Sequence, residues 1–354
     1  MSGIHGIDTT AIRAGEELDA ERLAQYLRLH LRGAGSDLEL EQFPGGHSNL
    51  TYLVRTGGTE YVLRRAPLGP VAPKAHDMAR EFRVLQAVHP HFAAAPEPFL
   101  LCEDTSVIGA VFYLMERRRG VVLRSEIPEE WAAMPDLPEK VSAAFLDCLV
   151  ELHSVDIVRH GLDRLGKPEG FVERQVKGWS ERWRRARTEE MPRMDRVIEY
   201  LHGNLPEEGA AALVHNDFKL DNLMLSASDP GKVEAVLDWE MTTVGDPLVD
   251  LGLTLCYWDP PDAEVREGPV PCLTRGEGWL TREQLVEQYM ARTGRDLGAL
   301  RYHEILGIFK LAVIVQQIYQ RWFLKQTADE RFATFDRRVR SLVDAAFARV
   351  EGEA

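Results

Sequence analysis

Leu213-Val214-His215-Asn216-Asp217-Phe218-Lys219-Leu220-Asp221-Asn222-Leu223-Met224-Leu225 is the stretch that decides the fold, with Val236-Leu237-Asp238-Trp239-Glu240 a short way downstream. Two short apolar runs flank a polar loop that holds Asp217 and, five residues on, Asn222. Asp238 then closes an alternating segment in which Val233, Ala235 and Leu237 share one face of a strand and Glu234, Val236 and Asp238 the other. This pattern supplies what phosphoryl transfer asks of a protein: a carboxylate to orient the attacking hydroxyl, and oxygen ligands to hold Mg²⁺ on the phosphates. Asp217 suits the first task. Asn222 and Asp238 suit the second, since Mg²⁺ takes hard oxygen ligands and few of them from protein. Lys219 reads either as a cation that neutralises the transferring group or as one more loop lysine.

A zinc reading of His215, Asp217 and Asp221 lacks a fourth ligand at a typical interval and lacks cysteine altogether. His215 reads as a packing residue that organises the loop backbone. Asp246-Pro247 reads as an N-cap aspartate with proline at the first helical position. Asp250, one turn in, reads either as a buttress of the loop by hydrogen bonds or as an exposed helix residue.

In this order and spacing, His215 to Asn222, Asp238-Trp239-Glu240 and Gly245 to Asp250 resemble the aminoglycoside phosphotransferase family of small-molecule kinases. The resemblance covers roughly residues 37 to 325. It implies an α+β, protein-kinase-like bilobal fold, with a small five-stranded antiparallel lobe carrying one helix and a larger, mainly helical lobe. The corresponding division is a helical leader over 1–36, a nucleotide-binding lobe over 37–116, and a lobe over 117–354 with the catalytic loop and acceptor-binding helices. The implied reaction moves the γ-phosphoryl group of ATP or GTP, with Mg²⁺, to the hydroxyl of a small molecule.

The first part of the chain fits that frame. Asp19 to Leu31 reads as a helix. From Leu38 the period becomes two, with strands expected over Leu38–Phe43, Leu50–Arg55, Tyr61–Arg65, Phe99–Cys102 and Val111–Met115. Gly45, Gly46, Ser48 and Asn49 lie between the first two strands. On turn chemistry they make a hairpin; with the loop downstream they are expected to lay backbone amides over phosphates. Arg64 stands where the kinase pattern carries a lysine to the α- and β-phosphates, the alternative being an exposed strand arginine. That departure matters, because a planar, longer guanidinium is not equivalent to an ammonium at a close phosphate site. A helix over Lys74–Val88 carries Glu81, which reads either as the partner of Arg64, as in the Lys–Glu pair of kinases, or as a surface glutamate. Met115 and Arg117 mark the connecting segment whose backbone would meet adenine.

Past Pro138 the pattern is helical, over Val141–Ser154, Val172–Arg187, Arg282–Thr293, Leu300–Lys325 and Arg331–Val350, with a loop at Gly161–Gly170. Only seven residues separate Asp238 from Asp246. That is too few for the long activation segment of a protein kinase, so a small acceptor is expected.

A formal charge of −14 argues against a nucleic-acid partner. Cys102, Cys148, Cys256 and Cys272 are far apart, which suits reduced thiols in a cytoplasmic protein. No uncharged apolar run approaches a membrane span, and Leu306–Tyr319, interrupted by Lys310 and two glutamines, reads as core. A monomer or homodimer is expected.

The acceptor is read from weaker signals. The basic run Arg174–Arg187 is either a solvated helix face or a cleft wall that favours an anionic acceptor. Tyr61 to Arg65, Pro168 to Phe171 and Glu173-Arg174-Gln175 are similar to the branch of the family fused to acyl-CoA dehydrogenases, which implies a hydroxyacyl-CoA-like acceptor. An aminoglycoside-type antibiotic kinase is one alternative. A non-catalytic nucleotide-binding module is another, given Arg64.

Overall fold

Sheet formation begins where the period changes. The structure is a computed structural model that describes residues 8–44, 49–67, 77–124, 126–258, 273–274, 277–327 and 329–352. Asp19 accepts the Arg22 amide at 3.0 Å and so caps α1 (Ala20–His30), which buries Leu23 and Leu27 and leaves Leu29 exposed. β1 (Glu39–Gln42), β2 (Leu50–Thr56) and β3 (Thr59–Arg65) follow. The β2–β3 turn is Gly57-Gly58 at φ 57° and 73°. Two successive positive φ values are what a tight hairpin turn requires, and a Cβ on Gly57 would lie 1.9 Å from the Gly33 carbonyl oxygen.

Asp77, whose side chain accepts the Arg80 amide at 2.9 Å, starts α2 (Met78–Val88). The expected start at Lys74 is therefore too early; residues 74–76 lie outside the described residues. β4 (Pro98–Cys102) and β5 (Phe112–Glu116) complete a five-stranded antiparallel sheet in the order β1-β2-β3-β5-β4. Short β6 (Val121–Val122) and α3 (Glu129–Ala132) come next.

The helical part opens with α4 (Leu137–His153), α5 (Phe171–Ala186) and α6 (Pro192–Gly203). Short strands then bracket the polar loops: β7 (Ala212–Val214), β8 (Leu223–Leu225), β9 (Val233–Val236) and β10 (Thr243–Gly245). β6, β8 and β9 form one sheet, and β7 pairs with β10 in another. The chain ends with α7 (Leu248–Tyr257), α8 (Arg282–Thr293), α9 (Leu300–Phe323) and α10 (Phe335–Glu351). The cap of α7 is one residue later than expected. Pro247 is the N-cap, and Asp246 reaches forward to accept the Leu248 amide at 2.9 Å while its other oxygen meets His303 Nε2 at 3.3 Å.

By contacts the chain forms two compact units. Unit 1 comprises Met1–Val122, Pro128–Met134 and Asn222–Thr242; unit 2 comprises Leu123–Ile127, Pro135–Asp221 and Thr243–Ala354. Unit 1 therefore includes α1, whose Leu23 and Leu27 share a core with Tyr52, Leu63 and Leu114. In unit 2 the core gathers around α9, with Trp179 and Trp183 of α5, Val197 of α6, Val249 of α7 and Val343 of α10. Where α7 and α9 cross, a Cβ on Gly252 would stand 2.5 Å from the backbone of His303. Cys102, Cys148 and Cys256 are free and buried; Cys272 lies outside the described residues. No helix among the described residues is long and apolar enough to cross a membrane.

Candidate active site

In unit 1 the charged residues singled out above are brought together by the sheet, α2 and the β8–β9 hairpin. Arg64, on β3 and 9% exposed, places Nη1 3.4 Å from Glu81 Oε1 and Nη2 3.1 Å from Asp238 Oδ1. Glu81 is thus the partner expected for Arg64; it sits on the buried face of α2, where it is 1% exposed, and Phe82 beside it is half-buried. Burial pushes the Glu81 carboxyl up, and the Arg64 charge opposes that shift only in part. Arg64 is held charged: burial disfavours the cation, but the Glu81 and Asp238 carboxylates outweigh it.

Asn222 and Asp238 stand at adjoining ends of the β8–β9 hairpin. Leu223 pairs with Val236, and the Leu237 amide donates to the Asn222 carbonyl at 2.8 Å, so the two candidate ligands flank the same rung. An amide oxygen and a carboxylate are a donor set that fits Mg²⁺, which leaves its other positions to water and phosphate. Asp238 has φ 67° and ψ 68°, a left-handed conformation uncommon outside glycine. The turn after it is fastened from α2: the Trp239 amide donates to Glu81 Oε1 at 3.1 Å. Arg80 donates to the carbonyls of Glu240 and Thr242, the latter at 2.6 Å. Nothing in the sequence singles out Arg80, which reads there as one more helix arginine.

Asn49 is 3% exposed and donates from Nδ2 to Glu240 Oε2 at 3.3 Å, which ties the start of β2 to the segment after Asp238. Gly45, Gly46 and Ser48 lie outside the described residues. Met115 points into the core from β5 at 7% exposure. The Arg117 guanidinium is engaged by Asp8, the Arg118 carbonyl and the Phe43 ring, its carbon 4.9 Å from the ring centroid. Its side chain is therefore committed to the N-terminal segment.

In unit 2 the loop after β7 carries Asp217 and Lys219, joined by an ion pair of 3.0 Å. Lys219 also lies 5.0 Å from the Tyr257 ring centroid. Burial disfavours its ammonium, but the charge and hydrogen bond of Asp217 prevail and raise its pKa. Asp221, half-buried, is shifted up by burial, with Lys219 opposing. The loop is anchored from α7. Asp250, fully buried, accepts the amides of His215 and Asn216 at 2.5 Å each, and His153 Nε2 lies 3.2 Å from it. His153 in turn meets Tyr289 Oη at 2.8 Å. Burial raises the Asp250 pKa, but the His153 hydrogen bond and charge win and lower it. Thr254 Oγ1 donates to the Phe218 carbonyl at 2.9 Å. His215 is buried edge-on to Phe218, a packing role as expected.

The family model described as the phosphotransferase enzyme family matches residues 39–301, well over half of the chain. The chain belongs to this family. Among curated relatives of this phosphotransferase-family chain, acyl-CoA dehydrogenase family member 11 of Rattus norvegicus is 36% identical over 338 residues, covering 91% of the chain and 42% of that protein. The chain thus spans about two-fifths of the length of such relatives. Among solved structures, a protein of Ralstonia eutropha described as a candidate aminoglycoside phosphotransferase matches with a TM-score of 0.80 and 30% identity, over 95% of this chain and 99% of that one. A thermostable variant of APH(4)-Ia, in ternary complex with AMP-PNP and hygromycin B, matches at TM-score 0.51 and 20% identity, over 91% and 98% of the two chains, a likeness of fold alone. The α+β, kinase-like bilobal fold read from the sequence is the fold of this family member.

Proposed function

We propose that the chain is a Mg²⁺-dependent kinase that transfers the γ-phosphoryl group of ATP, or GTP, to a hydroxyl of a small anionic molecule, with a hydroxyacyl-CoA-like compound as the leading acceptor class. The observation that carries this reading is Arg64, buried between the α2 glutamate and the aspartate at the end of the β8–β9 hairpin. A buried cation of that kind serves a phosphate chain, and its two carboxylates hold it in one orientation. Asn222 and Asp238 are the residues that would hold Mg²⁺, which when bound neutralises charge on the phosphates. Asp217 orients the acceptor hydroxyl and takes its proton. Lys219 supplies positive charge beside it. Asp250 keeps the loop backbone in place for Asp217. The binding of AMP-PNP by APH(4)-Ia, which has the same fold, supports an adenine nucleotide as donor. The acyl-CoA dehydrogenase names of the relatives support an acyl-CoA-type acceptor.

The test is incubation of the purified chain with Mg²⁺–ATP and a panel of hydroxyacyl-CoAs, free hydroxy acids, choline and hygromycin B, read by mass spectrometry for the gain of one phosphate. Product from an anionic member and none from the cationic ones supports the reading. Phosphorylated hygromycin alone would establish an antibiotic kinase instead. A second reading, a non-catalytic nucleotide-binding module, draws on the direct Arg64–Asp238 contact at 3.1 Å. It predicts thermal stabilisation by Mg²⁺–ATP with no product from any acceptor.

A further inference from the structure

α9 runs through the core of unit 2, and in its middle stands Lys310, 1% exposed. Its Nζ meets no hydrogen-bond acceptor among the described residues. Burying an ammonium without a partner costs several kcal/mol, so such a residue does not persist for stability. Its neighbours say what it faces. Nζ lies 5.7 Å from the Trp179 ring centroid, and the Arg182 guanidinium carbon lies 4.3 Å from the same ring, so two cations converge on one indole. The carboxylates whose charge reaches Lys310 are those of Asp250 and Asp217. Both carboxylates are committed elsewhere: Asp250 to two backbone amides and His153, Asp217 to Lys219. Burial pulls the amine down to about 8, and the Asp250 and Asp217 charges oppose that pull.

We infer that Lys310, with Arg182 against the same Trp179 ring, holds an oxyanion of the acceptor in the unit that carries Asp217. This rests on the kinase reading and assigns it a specificity-determining residue. A desolvated ammonium binds a carboxylate or phosphate group through charge-assisted hydrogen bonds. A polycationic amino sugar placed there would meet two positive charges instead. The oxyanion has two chemical sources, the carboxylate of a free hydroxy acid or the phosphates of a carrier such as CoA.

The test needs no nucleotide. The full chain and its Lys310→Met variant are titrated calorimetrically with inorganic phosphate, with 3-hydroxybutyrate and with CoA. Saturable binding that weakens about tenfold or more in the variant supports the site. Response to 3-hydroxybutyrate alone assigns the carboxylate, and response to phosphate or CoA alone assigns the phosphate source. No saturable binding of any of the three to the wild type, or equal affinity in wild type and variant, overturns it. Should Lys310→Met fail to fold, Arg182→Met, at an exposed position, takes its place: weakened binding again supports the site and equal affinity again overturns it. The two proposals fail separately. A chain that binds these anions through Lys310 yet phosphorylates nothing loses the kinase reading and keeps the site. A chain whose Lys310→Met variant phosphorylates an anionic acceptor at unchanged KM loses the site and keeps the kinase.

Discussion

The Asp250 carboxylate accepts the backbone amide of Asn216 at 2.5 Å, and Asn216 holds φ at 65°. The acid is buried in α7, yet what it governs is the backbone one residue before Asp217. Asp250→Asn replaces one acceptor oxygen by a donor that faces another donor and leaves His153 without its charged partner. Breaking a buried, hydrogen-bonded charge costs about 3–5 kcal/mol, which denaturant unfolding would read directly. The sign with pH follows from the lowered Asp250 pKa. Stability is present above the ordinary carboxylate pKa and is lost as pH falls below about 4. In the variant this acid limb should be shallower.

Asp217→Asn should remove turnover while leaving nucleotide affinity intact. A positioned base contributes about 10²–10⁴ in rate. The residue sits 25% exposed and is held by Lys219, so the exchange should not unfold the loop. Steady-state kinetics beside calorimetric titration with Mg²⁺–ATP separates the two effects. Undiminished kcat would remove Asp217 from its role.

Arg64→Met should be the most destabilising change in unit 1. It leaves Glu81 and Asp238 facing a methyl group, with Glu81 fully buried. The loss should be about 3–5 kcal/mol, and Glu81→Gln added to it should recover part, because the uncompensated charge is then gone. A double-mutant cycle by urea unfolding measures that coupling. Additive losses would show that the pair is not energetically joined.

Lys310→Met should raise stability near neutral pH, the reverse of what loss of a structural residue does. The amine is lowered by burial to about 8, with Asp250 and Asp217 opposing burial and Arg182 adding to it. The unfolded chain therefore binds the proton more tightly, and wild-type stability rises as pH climbs from about 8 to about 10.4. The variant's advantage should fade over the same interval. Melting curves at pH 7 and pH 10 test this, and a lower melting temperature at pH 7 would contradict it.

Gly252→Ala should loosen the crossing of α7 and α9. The added carbon would lie 2.5 Å from the His303 carbonyl, a backbone group that cannot swing aside. Overpacking of this kind costs about 1–3 kcal/mol. Because Asp250 is two residues away, kcat should fall along with the melting temperature.

Much of this was legible because the decisive signals are local. Strand alternation places Arg64, the helical period places Glu81 near it, and the loop spacing brings Asn222 to the edge of the hairpin that ends at Asp238. Other features depend on partners distant in sequence. β6, β7 and β10 are two or three residues long and pair with strands far along the chain, so no window of sequence shows their limits, whereas β9 lies within the alternating segment that ends at Asp238. Arg80 and Asp246 gain their roles from carbonyls and a histidine elsewhere. α6 could have been found, since Pro192 at its start and Met194, Val197, Ile198 and Leu201 keep helical spacing. Lys310 left a trace as the one basic residue inside the apolar stretch Leu306–Tyr319, a break that reads as tolerated and is better read as retained.

Three non-glycine residues among those described have positive φ, and two of them, Asn216 and Asp238, adjoin or form the proposed chemistry. Asparagine and aspartate are the side chains that enter this conformation at least strain. The usual scale of conservative exchange therefore inverts at position 238. Asparagine there would keep the main chain and discard the charge, whereas glutamate would keep the charge and distort the main chain. A library at that codon should recover Asn and Gly among folded, inactive proteins, and few longer acids at all.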